Sequence, residues 1–191
     1  MRKPTPEGYR ESLPPYWARL EGVVRWYSRR LPWQDGRVID AWVLVRLLGL
    51  GALLALLPGE PGFAWSVGSV IVVVFLLADI LLYQTHVAIE GNQPASNLRL
   101  LMLSFLGYAT IVMGFAVLYL LQADAFSRRL GVWDSLYFSV VTAGTIGYGD
   151  IYPCAGQVVA QATIAAEHLV GLYYLAVVVA VIVNMATNES S

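Results

Sequence analysis

Four stretches of this chain, about Val38 to Leu57, Phe63 to Tyr83, Leu98 to Leu121 and Gln157 to Ala186, are continuously apolar. Each is long enough to cross a hydrocarbon core, which takes roughly 20 helical residues. Because the bilayer interior offers no water, a crossing must satisfy its own backbone polar groups, so each stretch is expected to be a helix. The expected fold class is therefore an all-α membrane protein with four transmembrane helices. Composition agrees: 58% of the 191 residues are apolar and 13% charged, far from the balance of a soluble domain. A formal charge of −1 without a basic run gives no reason to expect a nucleic-acid partner. The single cysteine, Cys154, has no intrachain disulfide partner, and with only two histidines in the chain no structural zinc site is expected. The first 37 residues are polar and carry several prolines, so no cleavable signal is expected.

The connections order these helices. Pro58-Gly59-Glu60-Pro61-Gly62 is so short that the first two helices are expected to form an antiparallel hairpin over 38–83. Residues 84–97, polar and containing Gly91-Asn92 and Pro94, are expected to be a linker. Eight lysines and arginines precede the first helix, Arg99 alone lies by the second connection and none lies in the first. By the positive-inside rule both termini are expected on the cytoplasmic side, although Arg128 and Arg129 run against the trend. Within the 1–37 segment, Trp17, Leu20, Val23, Val24, Tyr27 and Leu31 recur at helical spacing beside Arg19, Arg25, Arg29 and Arg30. This pattern suggests an interfacial helix held by anionic lipid or docked on a neighbouring chain; the sequence leaves both open. Two charges lie inside the apolar stretches. Arg46 and Asp79 should both lie within about 12 Å of the inner boundary, at roughly 1.5 Å per residue. They are expected either to pair across the hairpin or to reach the interface separately.

The third connection differs from the others. Between Gly131 and Gly144 lies a segment too short to span the membrane, with Asp134 at a cap position and Trp133 just before it. A helix there would turn its negative dipole end, near Ala143 and Gly144, toward the membrane centre and favour a cation. Thr145-Ile146-Gly147-Tyr148-Gly149-Asp150 follows. Gly147 and Gly149 can take backbone angles closed to other residues, which lets successive carbonyls face one side, and Thr145 adds a hydroxyl. Irregular backbone at this depth is tolerated only where it is buried in protein or lines water.

These six residues resemble the selectivity filter of potassium channels, the known case in which rings of carbonyl oxygens replace the water around K⁺. From Leu98 to Ala186 the order of outer helix, pore helix, filter and inner helix resembles the pore domain of bacterial two-helix potassium channels. The resemblance implies a pore domain over 98–187, a short cytoplasmic tail at 188–191, and a re-entrant pore helix beside the four spanning helices. Thr145, Ile146, Gly147, Tyr148 and Gly149 would bind K⁺, the first four through their carbonyls. Asp150, Tyr137, Val141 and Thr142 would support the filter. One filter per chain implies a homotetramer in the bilayer. The implied function is passive K⁺ conduction, with K⁺ as permeant ion, no organic cofactor and no enzymatic activity. The implied location is a plasma membrane, the bacterial inner membrane, as a multi-pass protein.

The sequence departs from the family at two positions. Gly144 stands where many members carry a second threonine, and Val141 where some carry a glutamate that pairs with the residue at Asp150. Tyr137 is expected to donate a hydrogen bond to Asp150 instead. Arg46 stands alone rather than in a repeated series, so the first two helices are not expected to sense voltage. In the inner helix, Glu167 faces either the cavity or the pore helix through Ser139 or Thr142. His168 serves packing or senses pH, and Gly171 permits either bending or close packing. Only a few residues follow this helix, so no carboxyl-terminal ligand-binding domain is expected. A weakly selective cation channel and a non-conducting regulatory subunit are the two competing functions.

Overall fold

A computed structural model describes residues 36–57, 62–90 and 97–189, with backbone alone at 36–38, 87–90, 97, 98, 100 and 184–189. The expected interfacial helix between Trp17 and Leu31, the turn at 58–61 and the Gly91-Asn92 and Pro94 region lie outside the described residues.

Among the described residues five α-helices follow in order: α1 (Gly36–Leu56), α2 (Phe63–Glu90), α3 (Asn97–Leu120), α4 (Val132–Ala143) and α5 (Val158–Glu189), with a 3-10 turn at Ala123–Ala125 before α4. Four of them hold apolar spans of membrane-crossing length, Ile39–Leu56, Phe63–His86, Leu101–Leu120 and Val158–Val183. Among the described residues there is no β-strand; a lone bridge joins Phe126 and Pro153. The protein is an all-helical, multi-pass membrane protein.

Two expected boundaries move. Residues 84–90 are helical rather than part of an 84–97 linker. Two of their polar side chains find partners inside the fold: Gln84 Nε2 donates to Ser104 Oγ at 2.9 Å, and Thr85 Oγ1 donates to the Leu81 carbonyl at 2.6 Å. Likewise α5 runs through Glu189, so the expected 188–191 tail begins as helix.

Helix α3 is the centre of the fold, packed against α1, α2, α4 and α5, whereas α1 and α2 meet each other only sparsely. The expected hairpin therefore straddles α3 instead of packing on itself. Ile111, Ala116, Val117 and Tyr119 are wholly buried on α3. Small residues let the helices approach, as is usual where lipid removes the hydrophobic drive between helices. A Cβ at Gly114 would sit 3.2 Å from Leu77 Cδ2 on α2, and one at Gly107 would overlap the Tyr174 hydroxyl of α5. That hydroxyl donates to the Ser104 carbonyl at 2.7 Å and accepts from Gln84 Nε2 at 3.3 Å, tying α2, α3 and α5 together in the membrane.

Arg46 and Asp79 are buried, at 1% and 3% exposure. Arg46 Nη1 lies 2.9 Å from Asp79 Oδ2, and Trp42 Nε1 donates to the same oxygen at 3.0 Å. Of the two arrangements open in the sequence, the helices adopt the pair rather than separate snorkelling. At the end of α3 where the 91–96 connection lies, Arg99 Nη2 meets Asp40 Oδ1 of α1 at 2.9 Å.

Candidate functional site

Local chemistry sets up α4. Gly131 is extended (φ −90°, ψ 179°) and is the N-cap; its carbonyl accepts from the Ser135 N–H at 2.9 Å. Asp134, expected at the cap itself, sits three positions further on. Its carboxylate reaches back to the Gly131 N–H at 3.2 Å and also meets Arg128 Nη2 at 2.7 Å. Having no side chain, Gly131 leaves the cap role to its backbone, and an acid in the first turn suits the positive end of the helix dipole.

Two paired segments hold the ends of the loop that follows. Phe126 and Pro153 bridge; the Ser127 N–H donates to the Tyr152 carbonyl and the Cys154 N–H to the Ala125 carbonyl, both at 2.8 Å. Cys154 is half-buried, with its thiol on the Phe126 carbonyl at 3.2 Å. Beneath this clamp Tyr119, Phe126 and Phe138 meet edge to face with centroids 4.9 to 5.7 Å apart, joining α3, the clamp and α4. Such ring pairs add about 0.5–1.5 kcal/mol each beyond burial.

At the carboxyl end of α4 the chain folds under the helix. The N–H groups of Gly144, Thr145 and Ile146 donate to the carbonyls of Val140, Thr142 and Val141 at 2.9 to 3.0 Å. A Cβ at Gly144 would stand 3.0 Å from the Val140 carbonyl oxygen, tighter than ordinary contact. Thr145, Gly147 and Gly149 then have φ of 55°, 61° and 75°, and no other described non-glycine residue has positive φ. Positive φ alternates with negative φ at Ile146 and Tyr148. Such alternation turns successive peptide groups to one side, as in the nests that gather backbone N–H groups around an anion. Here it can gather carbonyls. A positive φ at Thr145, costly for a β-branched residue, marks a backbone held by its surroundings.

Side chains behind the loop are well partnered. The Tyr137 hydroxyl is hydrogen-bonded to Asp150; desolvation first, then this bond, raise the phenol above its ordinary value. Val141 and Thr142 are both buried. Glu167, at 0% exposure, does not face a cavity: Ser139 Oγ and the Tyr119 hydroxyl each lie 2.5 Å from one of its carboxyl oxygens. Thr142 bonds the Tyr119 hydroxyl in turn. His168 is half-buried, its Nδ1 3.1 Å from the Ile164 carbonyl of its own helix. Gly171 is buried, and a Cβ there would contact the Ala143 carbonyl oxygen at 3.5 Å, so this position faces the end of α4. An unbroken α5 passes through it.

By contrast, residues 144–150 are all exposed, Tyr148 to 68%. Tyr119, Tyr174, Gln84 and Trp42 also hold contacts between helices and are not among the residues expected from the sequence. A legible signal existed, since a tyrosine or glutamine inside an apolar membrane helix needs a hydrogen-bond partner.

Comparison with family models matches residues 100–188 to the family described as ion channel. No curated protein and no solved structure matches the chain. The matched residues run from the first turn of α3 through the 145–150 loop to the last turn of α5, so the two spanning helices and the re-entrant segment are matched as one unit. Over these residues, a little under half of the chain, the protein is similar to the ion-channel family.

Proposed function

We propose that the chain is a potassium-selective channel that works as a homotetramer, conducting K⁺ passively through rings of oxygen from Thr145, Ile146, Gly147 and Tyr148. The observation that carries this reading is the alternation of positive φ at Thr145, Gly147 and Gly149 immediately after a short helix between two spanning helices. A strand of this form brings its carbonyls to one side, and four around an axis supply the coordination that K⁺ loses with its water. Exposure supports assembly. The loop is bare in the single chain, and α5 leaves Leu169, Leu172, Leu175, Val179 and Val183 uncovered. Surfaces of this kind fit neighbouring copies and lipid. Ile146 bends back over Gly144, where a Cβ would stand 3.5 Å from its Cδ1.

The outer hairpin surrounds the pore, and the 145–150 loop opens away from the side of the termini. The membrane is a plasma membrane, bacterial by the resemblance, and the basic residues before α1 suit either its anionic lipid or a neighbouring copy. The test is K⁺ and Na⁺ efflux from liposomes holding only the purified protein, beside Gly147→Ala. An alanine at φ 61° is strained by roughly 1–2 kcal/mol. K⁺ flux well above Na⁺ flux, lost in the variant, is the expected result. Equal fluxes would replace this reading with a weakly selective cation channel. A tetramer with no flux in any lipid, pH or tension would replace it with a regulatory subunit.

A further inference from the structure

The carboxyl group of Glu167 can be assigned a proton by counting donors. Around it, Ser139 Oγ lies 2.5 Å from Oε1 and 2.9 Å from the Val112 carbonyl oxygen. Both of those oxygens are acceptors if the carboxyl is ionised, yet a serine hydroxyl has one proton. One close contact would then face lone pair against lone pair. The Tyr119 hydroxyl cannot help, because its proton goes to Oε2 and its oxygen accepts from Thr142.

We infer that Glu167 is a neutral carboxylic acid that donates from Oε1 to Ser139 and acts as the positioning residue bracing the pore helix behind the filter. With that proton in place, every group has a role. Glu167 donates to Ser139, Ser139 to the Val112 carbonyl, Thr142 to Tyr119, and Tyr119 back to Glu167 Oε2. The relay joins α5 to α4 at Ser139, α4 to α3 at Val112, and α3 to both at Tyr119. Surroundings agree with neutrality. Glu167, Ser139 and Tyr119 are wholly buried, and the ion pairs among the described residues lie elsewhere. An isolated carboxylate in such a place is heavily penalised, whereas a satisfied neutral acid is not. The titratable groups turned toward it are Tyr119 and, further off, Tyr108, both on α3. From α4 only hydroxyls, Ser139 and Thr142, face it, and His168 beside it on α5 turns back to its own helix.

The brace bears on the filter because Thr142 carries both its side-chain link to Tyr119 and the carbonyl that receives the Thr145 N–H at 3.0 Å. Its effect on ion selection rests on the potassium-channel reading, whereas the protonation does not, so the two fail separately.

The experiment pairs infrared difference spectra of the reconstituted full chain with flux. A protonated-carboxyl C=O band is expected in the wild-type protein and missing in Glu167→Gln. That amide can donate to Ser139 and accept from Tyr119, so its K⁺ flux and its K⁺ to Na⁺ flux ratio should match wild type. Glu167→Ala, or Tyr119→Phe should the former not assemble, is expected to lose about tenfold or more of either quantity, the scale for partners that orient ion ligands. Absence of the band, or a glutamine variant as impaired as the alanine one, overturns the inference. If the wild type shows no K⁺ preference, the band still decides the protonation.

Discussion

Replacing Gly107 by alanine should loosen the packing of α5 on α3. A methyl group there would overlap the Tyr174 hydroxyl and crowd Tyr174 Cζ and Ile80 Cδ1, each at 3.1 Å. Overpacking a tight contact costs about 1–3 kcal/mol. Displacing the phenol also forfeits its bond to the Ser104 carbonyl, and interhelical hydrogen bonds in membranes average about 0.6 and reach about 1.7 kcal/mol. Against these, alanine favours the helix over glycine by about 0.8–1.0 kcal/mol. The balance is a net loss of about 1–4 kcal/mol, because the crowding and the lost bond together exceed the propensity gain. Reversible unfolding in mixed detergent micelles measures it. Gly49→Ala serves as control, since a Cβ there meets nothing within 4 Å, and it should be neutral or slightly stabilising. Tyr174→Phe alone should lose only the hydrogen bond. The double variant, which removes the clashing oxygen, should be more stable than the two single losses predict. Additivity within about 0.5 kcal/mol would refute the reasoning, because it would mean that Gly107 and the hydroxyl do not interact.

Other expectations follow from individual contacts. Removing either Arg46 or Asp79 strands a buried charge and should lose about 3–5 kcal/mol of stability; exchanging the two should restore part of it, and no recovery of folded protein would sink the pairing account. Tyr137→Phe removes the bond to Asp150 and should speed the decay of K⁺ current under a sustained gradient, with unchanged decay counting against a role in holding the loop. Asp134→Ala loses the contacts to the Gly131 N–H and to Arg128 and should cost about 0.5–2 kcal/mol, seen as faster amide exchange in the first turn of α4; exchange confined to other segments would refute it.

Much of this architecture is decided by segments read one at a time. A run of apolar residues such as Leu101 to Leu120 must be a membrane helix whatever surrounds it, because unsatisfied backbone is too costly in hydrocarbon. The glycines at 147 and 149 likewise announce a backbone other residues avoid, and Gly131 to Gly144 is too short to cross the membrane. Sequence alone therefore determined the helical class, the number of crossings and the position of the loop. Polarity misled at residues 84–90, where Gln84 and Thr85 looked like a linker, but Gln84 finds Ser104 on α3 and Thr85 finds Tyr173 on α5. Only tertiary structure decided that α1 and α2 straddle α3, that Glu167 turns to Ser139 and Tyr119 instead of a cavity, and that Gly107 makes room for Tyr174. The physical reason is common to all three. Hydropathy fixes a helix by its own residues, whereas a buried hydroxyl or carboxyl is settled by a partner 48 or 70 positions away, and that pairing exists only once helices have chosen their neighbours.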